Sequence, residues 1–274
     1  MNIKTYEPKN IILKKYIEYY YSTTVDNQSY IAFPHYTLPV SFIKNASAEI
    51  IKNEVLLSRD SNTELKIITT NKFIKPLKIK NSGKINDFCI IFKPYGLVQF
   101  LNEFLDWNNP KEVYIINLFD DFLLKAPAFF ELEGDCKIEY LETYLCSNLK
   151  EKKGTELIIK ALKIIREEDN ISIANLSKRC NCHPKKLYRY FKKICGESPK
   201  TFSKIIQFRK ALEKLKEMDP SLNLTNIAYD SNYYDQPAFN NAFKKLTGEN
   251  PNKFFKNVRE HSQKKIYFKD GKNK

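Results

Sequence analysis

The chain has 274 residues, enough for one or two domains with a sizeable core, and 42% of them are hydrophobic and 14% aromatic, which excludes general disorder. It carries 46 Lys and Arg against 32 Asp and Glu, a net +14. Residues 1–150 hold 18 basic and 18 acidic side chains and residues 151–274 hold 28 and 14, so the second half alone calls for a polyanionic partner.

No run of 18 apolar residues is present, so no membrane contact is expected. The N-terminus, with Lys4, Glu7 and Lys9, lacks the apolar stretch of a secretory signal. The six cysteines then read as reduced thiols in a cytoplasmic protein.

In chain order, Ile11 to Tyr21 reads as an apolar-aromatic helix. From residue 31 to 93 the character changes. Thr37 to Ile43, Ala48 to Leu57, Glu64 to Thr70, Leu77 to Lys80 and Asp87 to Phe92 are short Ile-, Val-, Phe- and Thr-rich segments separated by turn residues. That spacing predicts a small, mostly antiparallel β sandwich or barrel. Phe33, Tyr36, Phe42, Phe88 and Phe92 would be its core, with lining of a small apolar effector pocket as the second reading. Leu97, Phe100, Leu101, Phe104 and Leu105 follow helical spacing, and a second helix is expected over Ile138 to Leu149. Lys150 to Gly154 is a charged, Gly-ended connector and the predicted domain boundary.

Thr155 opens a helix with the stripe Leu157, Ile158, Ala161, Leu162, Ile165, and Ser172 caps the next one. Then the chain says one phrase twice. Phe191, Lys192, Lys193, Gly196, Glu197, Pro199 and Phe202 recur 52 residues later as Phe243, Lys244, Lys245, Gly248, Glu249, Pro251 and Phe254. Each copy reads as a short helix (around Leu176, and around Ile227), a tight turn, a second helix, a glycine stop and a capped new helix. That is the helix-turn-helix plan in tandem. Pro199 to about Met218 is long enough to join the copies, and Asp219-Pro220-Ser221 ends it. Beyond residue 258 the chain is basic and is expected to be a disordered tail.

Once the apolar stripe of each second helix faces inward, spacing fixes what faces outward. Copy one presents Lys185, Tyr188 and Arg189, and copy two presents Gln236, Asn240 and Asn241. Arg pairs with guanine and Asn or Gln with adenine in the major groove, so these six are the candidate base contacts. A guanine-containing step is expected under copy one and an adenine-rich one under copy two. Lys186, Lys192, Lys193, Ser198, Lys200, Lys244, Lys245, Asn250 and Lys253 are the candidate phosphate contacts on double-stranded DNA.

At residues 155–257 the chain resembles the DNA-binding domain of AraC/XylS-type transcription regulators. The likeness rests on Leu176, Pro184, Leu187, Arg189, Phe191, Gly196, Pro199, Phe202 and Ala211, and on Ile227, Ala228, Asp235, Gln236, Phe239, Phe243, Gly248 and Pro251. It implies two recognition helices set by a long linker helix into successive major grooves, activation through RNA polymerase, and a chain acting alone or as a homodimer. Departures are His183 at the capping position, Gln207 in the linker helix, Asn232 in the second turn, and Pro237, Ala238 and Asn241 in the second recognition helix. The N-terminal half resembles the β-rich sensor domains of one branch of that family, through Leu38-Pro39 and Phe92 to Gly96.

The expected architecture is therefore α+β in two domains. Residues 1–150 form a β-rich sensor or dimerisation domain with flanking helices, residues 151–258 an all-α DNA-binding domain, and residues 259–274 a basic tail. Cys180, Cys182, His183 and Cys195 lack the spacing of a zinc site, one histidine (His35) in the N-terminal half does not make a metal centre, and no cofactor or catalytic constellation is expected. Two rivals stand beside this reading. One is an alkylation-repair protein with a cysteine acceptor fused to the same module. The other is a regulator governed by protein partners alone.

Overall fold

A computed structural model describes residues 2–62, 65–70, 74–108, 113–116, 128–168, 170–217, 224–255, 258–261 and 266–270. The N-terminal half contains β1 (Asn2–Tyr6), β2 (Ile17–Asp26), β3 (Ser29–Ala32), β4 (Leu38–Lys44), β5 (Ala46–Ile51), β6 (Glu54–Arg59), β7 (Leu65–Thr70), β8 (Leu77–Ser82), β9 (Lys84–Phe92) and β10 (Val113–Ile115). The helices are α1 (Gly134–Ser147), α2 (Thr155–Glu167), α3 (Ile173–Arg179), α4 (Pro184–Cys195), α5 (Pro199–Glu217), α6 (Leu224–Asp230), α7 (Gln236–Thr247) and α8 (Pro251–Phe255). A terminal hairpin, β11 (Val258–His261) and β12 (Ile266–Asp270), follows.

The strands form two six-stranded sheets, ordered β1-β2-β9-β4-β7-β10 and β11-β12-β3-β8-β6-β5. Neither sheet closes on itself, so of the two forms expected the open sandwich is the one adopted. Every pair is antiparallel except β6 with β8. The first sheet is covered on both faces. Phe42, Phe88, Ile90 and Phe92 point into a core shared with the helices, while Ile43, Ile68 and Ile85 meet Val55, Leu57 and Ile79 of the second sheet.

Double burial explains the main departure from the sequence reading. Ile11 to Tyr21 was expected as a helix, yet only Leu13–Lys15 forms a 3-10 turn, and Ile17 onward is β2. A strand covered on both faces shows no clean alternation, so its aromatic run reads at helical spacing. Helical order after Gly96 is also limited to a 3-10 turn, Leu97–Phe100. The segment Ala48 to Leu57 splits into β5 and β6 at a turn.

The C-terminal helices follow the expected punctuation. Ser172 caps α3 by accepting from the Asn175 amide at 3.1 Å. Gly196 and Gly248 close α4 and α7 with φ of 74° and 81°. The residues 258–261 and 266–270, expected within a disordered tail, instead form the terminal hairpin, whose β12 pairs with Tyr30 to Ala32 of β3. The consecutive β-branched and aromatic residues Ile266, Tyr267 and Phe268 supply strand propensity there, and β3 offers an open edge. The break at Asp219-Pro220-Ser221 and the tail lysines Lys264, Lys265, Lys272 and Lys274 lie outside the described residues.

The connector at Lys150 to Gly154 is held fast. Gln99, fully buried, donates to Thr155 Oγ1 at 3.0 Å and to the Tyr95 carbonyl at 2.8 Å, while its Oε1 accepts from the Lys152 amide at 2.7 Å. One continuous core then runs from Phe42 and Ile90 through Leu141 of α1 to Ile158 of α2, Phe191 of α4 and Ile206 of α5.

Candidate nucleic-acid interface

Each helix-turn-helix unit packs α3 with α4, or α6 with α7, through the repeated apolar positions: Leu176, Leu187, Phe191 and Ile194 in the first, Ile227, Phe239 and Phe243 in the second. Both turns use an asparagine at positive φ, Asn181 at 51° and Asn232 at 59°, a conformation that Asn tolerates better than other side chains. The caps differ. His183 Nδ1 accepts from the Lys185 amide at 3.2 Å, so the histidine takes the capping role, and Asp235 Oδ1 accepts from the Ala238 amide at 2.7 Å. Gln207 of α5 donates to the carbonyls of Ser231 and Asn232 at 3.0 and 2.8 Å, tying the linker helix to the second turn.

With Leu187, Phe191 and Ile194 buried, Lys185, Lys186, Tyr188 and Arg189 all lie exposed on α4, Tyr188 at 51%. Lys192 is half-buried, 3.5 Å from Glu197, and Lys193 Nζ sits 4.5 Å from the centre of the Phe104 ring, so these two lysines are engaged within the protein. On α7, Asn241, Lys244 and Lys245 are exposed. Gln236 is half-buried, as is Asn240, whose Oδ1 is out of contact with solvent. Ser198 and Asn250 accept the Thr201 and Lys253 amides as helix caps at 3.2 and 3.0 Å. Lys200 is exposed, and Lys253 lies 3.7 Å from Glu249. Sequence reading passed over Tyr234, which is 90% exposed just before the α7 cap. Its place directly before the capping Asp235 was the available signal.

The N-terminal half touches both units. Trp107 Nε1 donates to the Lys193 carbonyl at 2.9 Å, and its ring lies against Gly196. Phe33, from the loop between β3 and β4, is buried in the core of the second unit, with its ring centre 4.6 Å from that of Phe254. Arg209 of α5 fixes that loop by donating to the carbonyls of Pro34 at 2.8 Å and Phe33 at 3.0 Å. His35 beside it accepts from the Thr37 amide at 3.0 Å, and burial together with the charges of Arg209 and Arg166 holds its imidazole well below the usual range.

Between the sheets lies a cavity of about 170 Å³, lined by Tyr21, Ser41 and Asp87 of the first sheet, Tyr30 and Ile79 of the second, and Arg209. Of the aromatics weighed for such a pocket, only Phe33 lines it; Phe42, Phe88 and Phe92 belong to the helical side of the first sheet. Among the described residues no group of three or more His, Cys, Asp and Glu is placed to hold a metal ion. Cys89 and Cys195 are buried and their thiols are pushed above the ordinary range by burial, the opposite of the activation an alkyl acceptor needs.

Comparisons with known proteins fit this geometry. A family pattern described as a helix-turn-helix domain matches residues 176–257. The Msm operon regulatory protein of Streptococcus mutans is 26% identical over 122 residues, a stretch that spans 43% of this chain and 43% of that protein's length. The structure of ToxT from Vibrio cholerae aligns over 93% of this chain and 98% of its own, with a TM-score of 0.50 and 13% identity, which shows a shared two-domain fold. Residues 176–257, which hold both units, are thus a helix-turn-helix DNA-binding domain of the AraC type. No helix among the described residues is long and apolar enough to cross a membrane.

Proposed function

We propose that the protein is a sequence-specific transcription regulator that reads two successive major grooves with α4 and α7 and is modulated by a small molecule in its N-terminal half. The observation that carries this reading is the pairing of two recognition helices with outward polar faces on one linker helix that also borders an internal cavity. Lys185, Tyr188 and Arg189 would contact bases from α4, and Asn241, Gln236 and Asn240 from α7. The exposed Lys186, Lys200, Lys244 and Lys245 supply the phosphate contacts, with the backbone amides at Ser198 and Asn250 beside them. Lys192, Lys193 and Lys253 complete that set through their charge. Tyr234 joins the second face.

The route from cavity to DNA runs through Arg209. It lines the cavity and holds the Phe33 loop, and Phe33 is part of the second unit's core. A ligand that shifts this wall changes how α7 is held relative to α4. By family resemblance the protein would activate transcription through RNA polymerase, alone or as a homodimer. Selection of DNA bound by the full chain from a random pool tests the reading. The expected product is two half-sites about one helical turn apart, guanine-containing under α4 and adenine-rich under α7. Recovery of unenriched sequence at moderate salt would overturn it.

A further inference from the structure

Two carboxylates of the N-terminal half, Glu142 buried and Asp87 half-buried, are treated very differently. Glu142 of α1 accepts from the amides of Lys9 and Asn10, each at 2.8 Å, and from the Tyr20 hydroxyl at 3.0 Å, so its charge is fully met. Asp87 of β9 lines the inter-sheet cavity and receives one long hydrogen bond, from Ser41 Oγ at 3.3 Å. Its Oδ1 is buried with no hydrogen-bond partner among the described residues, and Thr70 Oγ1, also in the cavity wall, is in the same position. A carboxylate oxygen out of contact with solvent and without a donor disfavours the charged form unless a cation or donor is brought to it. Among the described residues, the groups that face Asp87 from the strands around it are Ser41, Tyr21, Tyr30 and Cys89, and none of these four can carry positive charge. Arg209, at the other wall, gives two of its three guanidinium nitrogens, Nε and Nη2, to the Pro34 and Phe33 carbonyls.

The rest of the lining limits what can enter. Val55, Leu57, Ile79 and Val113 are apolar, and Tyr21 and Tyr30 place aromatic rings beside the carboxylate, surroundings that favour an organic ammonium group. The volume, about 170 Å³, exceeds the ~150 Å³ of an apolar protein cavity that takes up benzene, so a single ring with a short arm fits. We propose that this cavity is the binding site for a small primary amine with an apolar or aromatic body, its ammonium group seated on Asp87. This deepens the effector reading above and rests on it. Burial pushes the Asp87 carboxyl up to about 7, so the ligand-free site is only partly charged at neutral pH and gains its full charge above that.

Calorimetry on the full chain with three probes of one skeleton, phenethylamine, 2-phenylethanol and 3-phenylpropanoate, decides the matter. At pH 8 the amine is expected to bind at least tenfold more tightly than the alcohol, and Asp87→Asn should erase that preference. Lowering the pH to 5.5 should also erase it, because Asp87 takes up a proton. The pH series needs no variant and stands even if Asp87→Asn fails to fold. Equal or tighter binding of the alcohol or the carboxylate would overturn the amine assignment and leave the effector reading intact. Binding of none of the three would overturn both.

Discussion

The two helix-turn-helix units share a phrase of sequence and differ in what holds them. The first belongs to the same continuous core as the first sheet and α1, and Trp107 is lodged against its Gly196. The second has a small core of its own, to which the N-terminal half contributes Phe33, with Ile31 of β3 packed against it. The first unit is thus built into the core of the N-terminal half, whereas the second meets that half at the edge of the second sheet, through the Phe33 loop, Ile31 and the pairing of β12 with β3. Duplicated local structure does not imply duplicated mechanics. The spacing of apolar residues decides the helices, and the neighbours decide how freely they can be repositioned.

The strongest way to break this contrast is Phe33→Ala. Removing a buried phenylalanine should lower stability by about 4 kcal/mol in chemical denaturation. Hydrogen exchange should rise across 224–255 and hardly change across 173–195. Equal loss of protection in both units would refute the difference in attachment. A matched glycine pair sharpens it further. At Gly196 an added Cβ would meet the Trp107 ring at 2.6 Å, whereas at Gly248 nothing lies within 4 Å. Both positions have left-handed φ, so Gly196→Ala is expected to cost about 3 kcal/mol and Gly248→Ala about 1 kcal/mol, read from the same denaturation curves. A further contrast concerns DNA. Arg189→Ala should relax preference at one position of the first half-site by about 2 kcal/mol and leave the second half-site unchanged. Lys186→Ala should weaken all sequences alike and reduce the salt slope by about one. Identical profiles for the two variants in a binding selection would remove the base-reading role from Arg189.

What could be read from the sequence was what is local. Helix stripes, the Ser172 and Asn250 caps, the glycine stops and the repeat itself depend on residues within a few positions of one another, and the structure places them as expected. The strands β4, β7, β8 and β9 were legible for the same reason. The helical reading of Ile11 to Tyr21 failed because burial on both faces removes the period of two. The contact of Arg209 with Pro34 joins residues 175 apart and leaves no local trace, although an arginine within the apolar stripe of α5 was a signal that could have been followed. Asp87, an acidic residue directly before the buried run Phe88 to Phe92 of β9, was another.

The terminal hairpin carries a practical consequence. Because β12 lies beside β3, the last strand of the chain completes a sheet begun near its first. Cutting at residue 150 would leave one fragment with a bare sheet margin and the other with an orphan hairpin, each prone to self-adhesion. Co-produced halves, by contrast, have a ready-made seam along which to rejoin.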